Sequence, residues 1–136
     1  MNNKEEQLLH SKVTRSIIGA AMEVHRTLGF GYLESVYQAA LTHEFKKCSL
    51  QFTEQGVLEV IYKGKIVGAF RYDFLVEECV IVEIKAVRRL SEADEAQLLN
   101  YLRGTGIQVG LLLNFGDSSL RWKHRVWSRD STGRDH

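Results

Sequence analysis

The chain contains no proline. No helix in it is therefore forced to break by that residue. Cysteine is nearly absent too, with only Cys48 and Cys79. Both sit in apolar stretches, so they are expected as reduced core residues, and a disulfide framework is excluded. Long hydrophobic runs are missing, and none present is long enough to cross a bilayer. The opening residues, Met1 to Lys12, are mixed in charge and lack an apolar signal core. A cytoplasmic location without a membrane partner is the resulting expectation. Charge of one sign is also lacking: 18 Lys and Arg against 17 Asp and Glu leave a net charge of +1. Nucleic acid is thus not announced by bulk charge, and any surface for it must be a local patch.

What remains is ordinary globular material, 44% hydrophobic and 26% charged over 136 residues. That is enough for one domain with one core. The domain is expected over residues 1–127, with a polar, frayed tail over 128–136. No repeat or low-complexity linker is visible.

Helical spacing of Val13, Ile17, Ile18, Ala21, Val24 and Leu28 predicts a first helix from about Glu5 to Leu28, ended by Gly29. His25 lies near its C-terminal end, where a cation is favoured. A second helix follows from Tyr32 to about Cys48. Glu34 falls in its first turn, and the helix dipole alone is a sufficient reason for a carboxylate there. Tyr37 and Leu41 share that face. Phe52 to Tyr62 reads as a strand, Lys63-Gly64 as a tight hairpin turn, and Lys65 to Val76 as the return strand. A turn at Glu77-Glu78 leads into Cys79 to Ala86 (CVIVEIKA). Ser91 to Asp94 has the pattern of a capping box. The third helix is expected to run to Arg103, with Gly104 as its stop. Ile107 to Phe115 is a further buried strand, and Leu120 to Trp127 an edge strand. The order α-α-β-β-β-α-β, with a last strand after it, is that of an α/β (α+β) mixed sheet with helices on its faces.

The residues that carry chemistry lie on two neighbouring strands. Glu83 and Lys85 point the same way, roughly 6–7 Å apart along the strand. Their flanks Val80, Ile81, Val82, Ile84 and Ala86 are apolar on both faces, which an ordinary solvated sheet face would not show. Buried charge is costly unless it is paired, hydrated or bound to a metal. If the hairpin register sets Asp73 opposite Glu83, two carboxylates and one ammonium converge, a set suited to a hard divalent cation beside a phosphate. An ordinary cross-strand ion pair is the competing account.

The ordered set is more specific than any member of it. Val24-His25-x-x-Leu28-Gly29 precedes Gly31-x-x-Glu34-x-x-Tyr37. Then come Asp73, Glu83-x-Lys85, Ala96-Gln97-x-x-x-Tyr101 and Gly110-Leu-Leu-Leu-Asn114-Phe115. This set resembles the small GxxExxY proteins of the PD-(D/E)xK nuclease-like superfamily, from about Val13 to Val126. Phe30 stands where that family usually has proline, and Tyr72 where the superfamily's namesake proline would be.

The resemblance implies a restriction-endonuclease-like core. It implies Asp73 and Glu83 as metal carboxylates, with the Ile84 carbonyl as a third ligand and Glu34 as the helix acid completing the site. Lys85 would orient the attacking water and stabilise charge on the phosphate. Gln97 and Tyr101 resemble a pair that steadies the lysine or contacts a phosphate. The implied activity is Mg²⁺- or Mn²⁺-dependent cleavage of DNA or RNA. The alternative is a nuclease-fold protein that binds nucleic acid or a protein partner and cleaves nothing; a purely structural interaction domain is a third reading.

Arg71, Arg88, Arg89 and Arg103 are the candidate phosphate contacts. Arg121, Lys123, His124 and Arg125 beside Trp122 and Trp127 form a mixed basic and aromatic group that suits single strands. The same group also suits an edge strand protected by charge. Cutting both strands of a duplex calls for two sites, which makes a homodimer an open expectation.

Overall fold

The computed structural model of the protein describes residues 9–128. Helix α1 spans Ser11–Leu28 and buries Ile17, Ala20, Ala21 and Val24, the apolar stripe expected of its spacing. The part of the expected helix before Leu9 lies outside the described residues. Leu9 and His10 form a turn instead, with His10 at φ 53°. Helix α2 is Glu34–Lys47, with Tyr37, Leu41 and Phe45 buried. Helix α3 is Glu92–Thr105. Its capping box is formed as the sequence suggests, Ser91 and Asp94 each accepting from the other's backbone N–H. Its end differs from the expectation. Gly104 lies inside the helix, and Gly106, at φ 80°, is the left-handed cap.

Five strands form the main sheet in the order β1, β4, β5, β6, β7. They are β1 Phe52–Glu54, β4 Phe74–Val76, β5 Val80–Lys85, β6 Val109–Asn114 and β7 Arg121–Val126. Among the described residues only β5 and β6 pair in parallel, and α3 is the crossover that a parallel pair needs. The side chains of β5 divide between two cores. Val80, Val82 and Ile84 pack with α1 and α2, and Ile81 packs with α3. Burial on both faces is why this strand does not alternate.

The expected strands Phe52–Tyr62 and Lys65–Val76 are each broken in two. Residue Gln55 takes φ 51°, and the chain leaves the main sheet there. It returns at Tyr72-Asp73 after a separate hairpin of β2 Val57–Tyr62 and β3 Lys65–Arg71. Two backbone bonds close the neck of this excursion, Gln55 N–H to the Asp73 carbonyl and Tyr72 N–H to the Gly56 carbonyl, each 3.0 Å. Lys63 and Gly64 both have positive φ, as a tight hairpin turn demands. The hairpin's inner face (Leu58, Val60, Phe70) packs on α3, where Phe70 and Tyr101 stack with ring centroids 3.6 Å apart.

Three local expectations are corrected. Cys48 is exposed, at the C-terminal end of α2, and is not a core residue. Cys79 is half-buried, and burial pushes its thiol up. Ser128, placed in the frayed tail by its polarity, is buried; the rest of that tail lies outside the described residues. Among the described residues no helix is long and apolar enough to cross a membrane.

Candidate active site

The break between β3 and β4 puts Asp73 outside the regular ladder. Its backbone N–H is therefore free to donate to Glu83 Oε2, at 2.9 Å. In return the Ile84 N–H donates to Asp73 Oδ2 at 2.7 Å. The ladder pairs Phe74 with Val82, so Asp73 stands opposite Glu83. The Gln55 amide donates to Asp73 Oδ1 at 3.1 Å, and the Gln38 amide to the Asp73 carbonyl at 3.3 Å. The same excursion that removes the hairpin from the sheet thus fixes the aspartate.

Glu34 opens α2 and lines a cleft of about 380 Å³ together with Ser35, Gln38, Gln55, Asp73 and Ile84. It is exposed, and its charge reaches Glu83. Glu83 is half-buried. Burial first, and then the negative charge of Asp73, push its carboxyl up to about 8. The Asp73 N–H and the Lys85 ammonium hold it back, and Glu34 adds to the rise. This cluster has more negative charge than its cation neutralises.

All the candidate donors are hard oxygens, the type Mg²⁺ and Mn²⁺ take. Among the described residues no three Asp, Glu, His or Cys side chains stand close enough to form a metal cage. A carboxylate pair with a backbone carbonyl still fits an ion that keeps most of its own waters.

Lys85 lies on the same face as Glu83, two residues on. Its Nζ stands 3.8 Å from Asp94 Oδ1, in the first turn of α3. Asp94 is a residue that sequence reasoning read only as a cap. Gln97 is the next turn of α3 and is exposed, while Tyr101 is committed to its stack on Phe70. Tyr37 is fully buried, stacks on Phe115 at 4.5 Å, and donates its hydroxyl to the Gly29 carbonyl at 2.6 Å. It therefore ties down the loop that precedes Glu34. Gln38 and Gln55 are the polar partners that sequence reasoning missed. Gln38 is four residues from Glu34, and that helical spacing was the available signal.

The basic candidates do not form one patch. Arg71 donates to the Gln55 carbonyl at 2.7 Å beside the site. Arg88 and Arg89 are exposed on the loop after Lys85. That loop is held by Asn114, which is wholly buried. Its side chain accepts from Val87 N–H at 3.0 Å and donates to the Val87 carbonyl at 2.9 Å. Arg103 is nine residues beyond Asp94 on α3, roughly 13 Å along the helix axis.

The β7 group separates into two sets. Trp127 is buried, Arg125 is bonded to Glu95, and burial lowers the His124 imidazole below its ordinary value, so none of these three serves as an exposed stacking or cationic contact. Arg121, Trp122 and Lys123 remain exposed. His25 lies in the last turn of α1, as expected, and is buried, with its Nε2–H donating to the Asp117 carbonyl at 2.8 Å.

The sequence matches the PD-(D/E)XK nuclease superfamily over residues 11–126, so the chain belongs to that superfamily. The mixed sheet with its flanking helices is the restriction-endonuclease-like fold. A crystal structure of SSO0001 has the same fold, with a TM-score of 0.55 at 16% identity over 68% of this chain and 50% of that one. The chain thus spans half the length of that protein, and the likeness shows the fold alone. No curated protein matches this chain.

Proposed function

We propose that the protein is a divalent-metal-dependent nuclease of the GxxExxY kind, hydrolysing phosphodiester bonds in DNA or RNA. The observation that carries the reading is the contact between Asp73 and Glu83, with Glu83 driven up to about 8. Each acid accepts a backbone N–H, but a fold held together only for its own stability has no need to set the Asp73 charge beside a partly buried Glu83. Asp73, Glu83 and the Ile84 carbonyl would hold Mg²⁺ or Mn²⁺, with Glu34 adding negative charge at the rim. A bound cation there supplies a water acidified toward neutral pH and a counter-charge for the phosphate.

The protein's own groups do the rest. Lys85 presents a fixed ammonium to the reacting phosphate, where negative charge grows as water oxygen bonds to phosphorus and the ester oxygen leaves. Asp94 holds that ammonium toward α3, and Gln97, one turn further, would meet the same phosphate. Tyr101 supports the helix through Phe70. The Arg71, Arg88 and Arg89 guanidiniums contact flanking phosphates.

The Lys85–Asp94 pair also favours a second reading, a binding protein that cleaves nothing, because it gives the lysine a structural partner. Single-turnover cleavage of labelled single- and double-stranded DNA and RNA, with Mg²⁺ and with Mn²⁺, separates the two. Cleavage by the wild type that is absent in Glu83→Ala is the expected result. Binding without any cleavage beyond that control leaves the second reading.

A further inference from the structure

We propose that the carboxyl end of the sheet carries a groove for single-stranded nucleic acid, in which Phe30 stacks on a base and Arg88, Arg89, Arg121 and Lys123 take phosphates flanking the reacting one. The inference rests on the nuclease reading for its polarity toward the site, but the groove is defined by its own geometry. A cleft of about 730 Å³ is lined by Phe30, Arg88, Arg89 and residues 116–118. A second cleft, about 350 Å³, is lined by Arg89, Asn114, Arg121 and Lys123, among others. Arg89 and Asp117 belong to both, so the two clefts are one continuous surface.

The surface starts beside the candidate site. Lys85 pairs with Asn114, and Asn114 with Arg121, so these three form one row across β5, β6 and β7. Two strand spacings separate Lys85 from Arg121, roughly 10 Å. That distance is within reach of neighbouring phosphates on one strand. The charge is positive and accessible. The single acid of the surface, Asp117, is spent on Arg121 at 3.2 Å and on the Ser118 N–H. Among the described residues Arg88, Arg89 and Lys123 form no ion pair.

Phe30 decides for a single strand. It is 62% exposed and lines the cleft beside Arg88 and Arg89. Its loop is nonetheless fixed, because the Tyr37 hydroxyl bonds both the Gly29 carbonyl and the Tyr32 N–H. The arginines are fixed as well, through the Asn114 clasp on Val87. A rigid aromatic platform beside a basic track matches unpaired bases, whose faces are free to stack; in a duplex those faces are already stacked.

The test is fluorescence anisotropy in EDTA, with a 15-mer of dT, a 15-mer of rU and a 15-base-pair duplex as probes. Both single strands are expected to bind at least about tenfold tighter than the duplex. Phe30→Ala should weaken single-strand binding by about 5- to 150-fold with the salt slope unchanged, as loss of one stacked base does. Arg89→Ala and Lys123→Ala should each lower the salt slope by about 0.7. All three side chains are exposed, and equal melting temperatures will show that the variants fold.

Duplex binding as tight as single-strand binding, or a Phe30→Ala protein that binds like the wild type, overturns the groove. The two failures are distinguishable. These losses without any Mg²⁺- or Mn²⁺-dependent cleavage keep the groove and remove the nuclease. Cleavage with unchanged binding in all three variants does the reverse.

Discussion

Glu83 is the residue where the cost of the proposed site to stability is concentrated. Its carboxyl ordinarily titrates at 4.5 and is raised to about 8 in the fold. Between those two values the folded protein binds a proton that the unfolded chain has released. This contribution to stability is complete below pH 4.5, declines as pH rises, and is gone above about 8. Glu83→Gln keeps an acceptor for the Asp73 N–H and removes the charge. The variant should be more stable than the wild type at pH 8 by about 1–4 kcal/mol, with a flatter pH dependence. Urea melts across that pH range would show parallel curves if Glu83 were not the titrating group. Glu83 and Lys85 stood out in the sequence because charge inside a doubly buried strand breaks the expected pattern; Asp73 depended on the hairpin register, and Glu34 on the family resemblance. The polar partners Gln38, Gln55 and Asp94 did not stand out, because each has an ordinary reason to be where it is in its own segment.

At the scale of elements, the loop from Ala86 to Leu90 shows how a buried amide governs the segment that carries Arg88 and Arg89. Asn114 meets both backbone groups of Val87 and also accepts from the Gly116 N–H at 3.1 Å. Gly116 is pressed so close that an added Cβ would lie 2.3 Å from the Val87 carbonyl oxygen. Asn114→Ala should therefore cost about 1–3 kcal/mol, the penalty for buried polar groups left without partners. It should also speed hydrogen exchange at Val87 ahead of the global rate, which mass spectrometry can read. Uniform destabilisation without that local change would mean that Asn114 does not hold the loop. The hairpin turn, the α3 cap and the edge strand β7 were each readable from local chemistry. The split of two expected strands was not read, although the polar run Thr53 to Gly56 interrupts the apolar pattern where the first strand breaks; the pairing of β1 with β4 then sets the detour.

For the whole molecule, the proposed metal is the natural lever. An ion that binds only the folded state raises its stability by mass action. Mg²⁺ or Mn²⁺ should raise the melting temperature of the wild type, and Asp73→Asn should largely abolish that rise. Lys85→Ala should keep it, since an ammonium is no ligand, while losing roughly 10²–10³ in single-turnover cleavage rate. Equal metal responses in the wild type and Asp73→Asn would place any cation elsewhere.

The sequence by itself determined the class of fold, because periodicity and turn chemistry are local properties, and one strand buried on both faces implies layers on each side. It also singled out Glu83 and Lys85 as the charged pair to watch, since their cost in an apolar strand is visible without coordinates. Only the tertiary structure decided that Asp73 sits in a gap between strands, that Tyr101 and Trp127 are packing residues, and that Phe30 shares a surface with Arg89. Those facts depend on pairing and packing between segments far apart in the chain, and no window of neighbouring residues carries that information.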